Sequence, residues 1–599
     1  MQPILKINLT TQRFEEYEIP AEWQRDYLGA ASLAARILYN DLTAELDPLS
    51  AESPLLILTG PLTGTFGPAT GRFIVAGKSP ATGLWAESNV GGFWGVELRK
   101  CGYDGIWITG KSDLPLYLSL KGNKPKLSAA DHLWGQDTYE IQESIKAELA
   151  SKSTKVLGIG IAGENQIPFA GIFCDHGRAA GRTGLGAVMG AKKLKAIAVQ
   201  GDGEIPLAKP DEYKQLRIAA NRMLKDDPMT SVMSDLGSAG AAEYLDYLGE
   251  MPKKYFSAGT FEGAEKISGA SVAETILVGK KSCHGCVIAC GRVVDLGDAK
   301  KRKGPEYETL VGFGPNIGIT DAIFATRMGE LCDRYGLDVI SASNTIGLAY
   351  SLFGQGIIST EDAGGFSLNW GNAESAETLL HQMARREGFG ALLAEGALAL
   401  ARRFNVESQA VQVNGLELAY HDPRGASGMA LVYATSPRGA CHNQSDYFLA
   451  DIGQVDDSIG LEYFDRHAGA EKAANVALHQ DWRTVGNALV LCHFANVPPQ
   501  TILDLVNTAC GLDWNLNELM RSGERGWNLK RMINLNLGLL GANDRLPESM
   551  LKALPDGGAE GYVIPFDEML SAYYTARGWD ENGIPAQEKL EELGLEELL

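Results

Sequence analysis

The chain carries Cys283-His284-Gly285-Cys286-Val287-Ile288-Ala289-Cys290, a C-x2-C-x3-C run. Three thiolates in one loop can hold three corners of a metal site, and soft sulfur ligands suit an iron–sulfur cluster or zinc. The fourth ligand must come from elsewhere. Cys332, Cys441, Cys492 and Cys510 are the candidates, because Cys101 and Cys174 fall in a β-rich part of the chain and read as small buried hydrophobes. A structural zinc site on Cys283, Cys286, Cys290 and His284 fits the same spacing. Nine cysteines in 599 residues, three of them crowded together, argue for metal chemistry in a reducing compartment over a disulfide framework.

Other segments invite a ligand less directly. Gly158-Ile159-Gly160-Ile161-Ala162-Gly163 matches G-x-G-x-x-G, but Pro168 stops the helix that a dinucleotide fold would need next. In Asp333-Arg334-Tyr335-Gly336-Leu337-Asp338, Gly336 can close one helix and Asp338 can cap the next, whose free N–H groups suit an anion or a polar ring. Arg178 to Gly190 pairs Arg178 and Arg182 with backbone that a ligand can approach closely, as a phosphate-bearing cofactor requires. Arg72, Asn89 and Gly91 lie in similar stretches.

These segments need positioning elements. Up to about residue 205, short β-branched or aromatic runs between Gly and Pro predict strands at 55–58, 72–76, 105–109, 116–120, 155–160 and 196–199, a mostly β half. Helical periodicity then predicts segments near 211–225, 321–335, 338–354, 376–400, 469–490, 499–510 and 515–534, with an extended crossing at 411–421. The expected organisation is α+β, with a β-rich domain at 1–208 and helical domains at 209–413 and 414–599. Residues 588–599 read as a charged terminal helix with a solvated face. Lys and Arg number 54 against 75 Asp and Glu, a net charge of −21, so a sequence-wide grip on nucleic acid or an anionic membrane is excluded. No apolar run approaches a membrane span and the start lacks a leader pattern, so a cytoplasmic protein is expected.

With these pieces in place, the sequence resembles the tungsten or molybdenum aldehyde:ferredoxin oxidoreductase family essentially end to end. The matching segments are Gly71-Arg72-Phe73, Glu87 to Gly92, Arg178 to Gly190, the cysteine loop, Gly304 to Thr309, residues 333–338, Arg438-Gly439-Ala440-Cys441-His442 and Tyr573-Tyr574. The resemblance implies a bis-pyranopterin cofactor buried at the junction of the domains, a 4Fe-4S cluster on Cys283, Cys286, Cys290 and Cys492, and ferredoxin or an iron–sulfur subunit as partner. It implies a first pterin held by Asp333, Gly336, Leu337 and Asp338, and cofactor phosphates surrounded by Arg72, Asn89, Gly91, Arg178 and Ala179. A magnesium ion on the carbonyls of Asn89 and Ala179 follows from the same likeness. Glu308 and His442 match the active-site pair, as proton acceptor and as hydrogen-bond donor to the aldehyde oxygen. A homo- or hetero-oligomer is compatible with it.

The sequence departs from the family pattern in places. The second pterin motif, D-x-x-G-L-C, reads Asn487-Ala488-Leu489-Val490-Leu491-Cys492, so pterin N–H groups would meet an amide. Gln444 stands where a lysine is usual, and Cys441 puts a thiol beside His442, read as a bystander over a metal ligand. The altered 487–492 stretch and Cys441 motivate one alternative, a low-potential reductase of the same fold such as a dearomatising acyl-CoA reductase subunit; an alternative of another class is a non-catalytic iron–sulfur or zinc subunit.

Overall fold

The computed structural model describes residues 1–598. The N-terminal part builds two six-stranded sheets. One runs in the order Arg13–Tyr17, Ile4–Asn8, Gly105–Thr109, Leu55–Thr59, Phe73–Lys78, Trp85–Val90. The other runs Arg178–Ala180, Ile172–Cys174, Lys155–Gly158, Leu194–Gln200, Leu116–Lys121, Lys124–Ala129. Side chains alternate across a strand, so each sheet has two faces to fill. Leu55, Ile57, Phe73 and Val75 meet Leu118, Leu157, Ile197 and Val199 in one core between the sheets. Leu56, Leu58, Ile74 and Ala76 turn the opposite way, against helix Ala30–Leu38 and against Leu529 and Ile533 of helix Leu516–Asn536. Burial on both faces explains the unbroken apolar run Leu55-Leu56-Ile57-Leu58.

The predicted strands are all present, and helices Pro210–Asp226, Ala322–Tyr335, Val339–Gly354, Ala473–Leu489, Pro499–Cys510 and Leu516–Asn536 match the periodic segments. Three expectations change. The first half also holds helices Ala30–Leu38, Trp94–Lys100, Thr138–Glu148 and Leu185–Ala191, pieces too short to set a long helical period. The segment 376–400 is three helices, Ala373–Arg385, Gly390–Leu393 and Ala397–Arg403, because Arg386 turns into the left-handed region at φ 56° and Gly388 and Gly396 also take positive φ. The C-terminal segment is not a solvated face: Leu590, Leu593 and Leu595 are buried in the core beneath the first sheet. Among the described residues, no helix is long and apolar enough to cross a membrane.

Candidate active site

A cavity of about 690 Å³ opens where the N-terminal sheets meet the helical regions. Its walls include every residue that the family resemblance assigns to the site except Gly336. Gly336 instead shapes the turn. It closes helix Ala322–Tyr335 at φ 80°, and a Cβ there would come within 2.9 Å of the Gly160 nitrogen.

On one wall, the loop 283–290 joins strands Leu277–Lys281 and Gly291–Val294. Arg292 stitches it, donating to the carbonyls of Ala289 at 3.0 Å and Cys290 at 3.1 Å. Cys492, just past helix Ala473–Leu489, joins Cys283, Cys286 and Cys290 on this wall. Burial pushes the Cys286 thiol up to about 11, with the Cys492 charge adding to it, and Cys290 rises through burial, Glu306 and Cys492. Four thiols gathered on one wall form a soft donor set suited to an iron cluster. Glycine permits the approach behind them, since a Cβ on Gly91 would lie 2.8 Å from the Cys283 sulfur and 3.0 Å from an Arg72 nitrogen. Cys332 is buried within helix Ala322–Tyr335 and does not line the cavity. Nor does Cys441 line it: its sulfur accepts from Asn443 N at 3.3 Å, capping a short turn, and from Arg438 at 2.6 Å.

Around the next wall, Asp333 pairs with Lys303 at 2.8 Å; burial raises its pKa and Lys303 partly restores it. Asp338 caps helix Val339–Gly354 by accepting from Ile340 N and Ser341 N, and its carboxylate meets Arg182 at 3.2 Å. Arg182 also donates to the carbonyls of Ala440 at 2.7 Å and Glu417 at 2.5 Å, tying three segments together. Opposite, Arg72 donates to Asn89 Oδ1 at 2.7 Å and to the Asn89 carbonyl at 3.2 Å, so that carbonyl already has a partner. Arg178 is held firmly protonated: burial opposes it, but the Cys283 and Cys290 charges prevail.

Glu308 also lines the cavity, from the first turn of helix Tyr307–Gly312. Its Oε2 accepts from Tyr420 N at 3.0 Å, while Oε1 faces His421 Nε2 at 3.4 Å and His442 Nε2 at 3.8 Å. Burial raises the Glu308 pKa, with His421 opposing. Burial, and then the neighbouring His421, drive His442 well below the usual imidazole range, so it is neutral. His421 was not singled out from the sequence, nor were Arg182, Arg438, Asp446 and His493 given roles; all five line the cavity. The two arginines sit in segments already noted, but nothing in the spacing of His421 marks it.

Glu308 Oε1, Gln444 Oε1, Asn487 Nδ2, Arg438 Nε and His493 Nε2 are buried without hydrogen-bond partners among the described residues. Buried polar atoms are almost always partnered, so their concentration on one cavity marks a polar ligand with both donors and acceptors. A pterin ring system bears both, and the residues present fit it. Asn487 takes only a 3.4 Å contact from Asn89 on its oxygen and leaves its amide N–H groups free. Val490, in place of the motif's glycine, still adopts the left-handed conformation at φ 50°.

Comparison with known proteins agrees. Residues 4–201 match the family described as aldehyde ferredoxin oxidoreductase, N-terminal domain, and residues 215–595 match domains 2 and 3 of the same enzyme. The chain is 37% identical to the tungsten-containing aldehyde ferredoxin oxidoreductase of Pyrococcus furiosus, over 99% of this chain and 98% of that one. To its counterpart from Thermococcus kodakarensis it is 36% identical, over 99% of both. It is 29% identical to the aliphatic sulfonate oxidoreductase, WOR-like subunit, of Pyrococcus furiosus, over 99% of this chain and 97% of that one. The active-site complex BamBC of benzoyl coenzyme A reductase with 1,5-dienoyl-CoA superimposes with a TM-score of 0.86 at 26% identity, covering 100% of this chain and 97% of that one.

Proposed function

This chain belongs to the aldehyde ferredoxin oxidoreductase family, and from that membership we propose that it is a tungsten or molybdenum oxidoreductase converting aldehydes to carboxylic acids. The observation that carries this reading is the convergence of four thiols, a set of unpartnered polar atoms and Glu308 on one cavity. When bound, a bis-pyranopterin metal centre supplies the two-electron acceptor that side chains lack.

In this reading Asp333, Leu337 and Asp338 hold the first pterin, and Asn487, Leu491 and Gln444 hold the second. Arg72 and Arg178 neutralise the phosphates, helped by the close backbone of Asn89, Gly91 and Ala179. The carbonyls of Asn89 and Ala179 would take a magnesium ion, which requires Arg72 to yield its contact with Asn89. Cys283, Cys286, Cys290 and Cys492 would hold the 4Fe-4S cluster, which would supply single-electron transfer toward ferredoxin or an iron–sulfur subunit in the cytoplasm. The domain limits remain 1–208, 209–413 and 414–599.

The protein's own part in the chemistry is proton handling. Tyr420 N–H fixes Glu308 Oε2, leaving Oε1 free to take a proton from the attacking water. Its raised pKa makes it a better base than an exposed carboxylate. His442, neutral, keeps one ring N–H to donate to the aldehyde oxygen as negative charge grows there. Glu308→Gln should keep its tungsten and iron while kcat for aldehyde-dependent dye reduction falls by roughly 10²–10⁴. Full activity in metal-loaded Glu308→Gln would remove the role. Elemental analysis of wild type tests the reading as a whole: tungsten or molybdenum with iron supports it, whereas zinc or iron alone would leave only a non-catalytic subunit.

The structural likeness to benzoyl coenzyme A reductase favours one second reading, a low-potential reductase of an aromatic acyl-CoA. Met229, Val232 and Tyr244 give the cavity mouth an exposed apolar rim that suits such a substrate. Substrate-dependent oxidation of a reduced viologen by an aromatic acyl-CoA, without aldehyde oxidation, would select it.

A further inference from the structure

Behind Glu308 stands a second acid that does not line the cavity. Glu250 is fully buried, and its Oε1 lies 2.7 Å from His421 Nδ1. Its Oε2 has no hydrogen-bond partner among the described residues. A buried carboxylate oxygen without a partner is costly to keep, so the group has a use that outweighs the cost. Among the described residues, the side chain it engages is His421, whose other nitrogen, Nε2, faces Glu308 Oε1 at 3.4 Å. That ring cannot swing. Tyr307 stacks on it at 5.0 Å and 29°, and Phe448 at 4.2 Å and 17°.

We propose that His421 is the group that clears the proton from Glu308, and that Glu250 is the positioning residue that makes it able to do so. This rests on the aldehyde-oxidising reading above. The carboxylate of Glu250 accepts Nδ1–H and so fixes the tautomer, leaving the Nε2 lone pair directed at Glu308. Once Glu308 has taken a proton from water, its O–H bond breaks and an N–H bond forms on His421 Nε2. Glu308 returns to carboxylate and His421 becomes imidazolium, with no change in electron count. The 3.4 Å gap closes to hydrogen-bond length for that transfer. Oxidation of an aldehyde with water to a carboxylic acid releases two protons and two electrons, and a regenerated Glu308 is free to accept the second proton.

The charges around the ring agree. Burial alone would lower the His421 pKa, yet Glu250, Glu308 and Asp446 together raise it. Its cationic neighbour effect falls on His442, which Arg182 and Arg438 also hold neutral. One imidazole therefore stores a proton while the other stays a neutral donor.

The test compares wild-type, Glu250→Gln and His421→Gln holoenzymes. For each, metal content, kcat and KM across pH, and infrared pH-difference spectra of the carboxyl band are measured; the band that Glu308→Gln removes is assigned to Glu308. Glutamine keeps the shape of Glu250 but stabilises an imidazolium less. In Glu250→Gln the acid limb of kcat should therefore move to lower pH by about one unit, and kcat should fall about tenfold or more, with KM and metal content little changed. In both variants the pH midpoint of the Glu308 band should shift as well. An acid limb, kcat and carboxyl midpoint unchanged in Glu250→Gln would overturn the proposal while wild type still oxidised aldehydes. Failure of wild type itself to oxidise any aldehyde would instead sink the reading on which it rests.

Discussion

Single residues divide by whether their own neighbours in sequence announce them. The three thiols of 283–290 declare a metal site through spacing alone, but spacing leaves four candidates for the remaining ligand, and only family likeness selects Cys492. The structure brings Cys492 to the cavity and keeps Cys332 inside a helix. Cys492→Ser should then lose the four-iron spectroscopic signature and dye-linked activity, while Cys332→Ala keeps both at a modest cost in stability; electron paramagnetic resonance of the reduced proteins decides. His421 had no such herald, since Glu250 lies 171 positions earlier and only tertiary folding joins them. Buried histidines also set the acid limit of the fold. Burial and Arg483 push His479 down to about 3. Its unfolded imidazole protonates near pH 6.5, so between these values the unfolded chain binds more protons, and stability drops as pH is lowered through that window. For one such group the slope approaches about 1.4 kcal/mol per pH unit. His479→Gln should lose less stability than wild type between pH 7 and pH 5 in urea titrations.

At the level of elements, periodicity located long helices and core strands well because their burial is regular. It failed where backbone conformation interrupts the pattern: 386–388 breaks a continuous apolar period that gives no hint of the left-handed turn at Arg386. The turn at 333–338 was legible because its signals are local, a glycine at the close of one helix and an aspartate at the start of the next. Asp338 serves both its helix and Arg182, which predicts an ordering. Asp338→Asn keeps a cap and loses the ion pair. Asp338→Ala loses both, at about 1 kcal/mol for the cap and up to ~3–5 kcal/mol for leaving a buried arginine without its counter-charge. Chemical denaturation of the two variants should rank wild type, asparagine, alanine in falling stability.

For the whole molecule, the α+β class and the order of β-rich and helical parts were readable from the change of period near residue 205. The layering was not. Two sheets face to face, with helices from distant parts of the chain covering the first, depend on pairings between segments that composition cannot join. The same distance misled the reading of 588–599, where a high charge density hides three buried leucines. Leu593→Ala should cost about 2–5 kcal/mol, read as a lower calorimetric transition, although the position is remote from the cavity.

That docking also orders events during synthesis. Arg36 and Glu597, joined at 3.1 Å, are 561 positions apart. A ribosome therefore exposes the outer side of the first sheet long before Leu590 and Leu593 emerge to cover it. The nascent chain must wait, with apolar strands uncovered, for the greater part of its translation. Its yield in a foreign host should accordingly depend on chaperone supply as much as on the availability of metal and pterin.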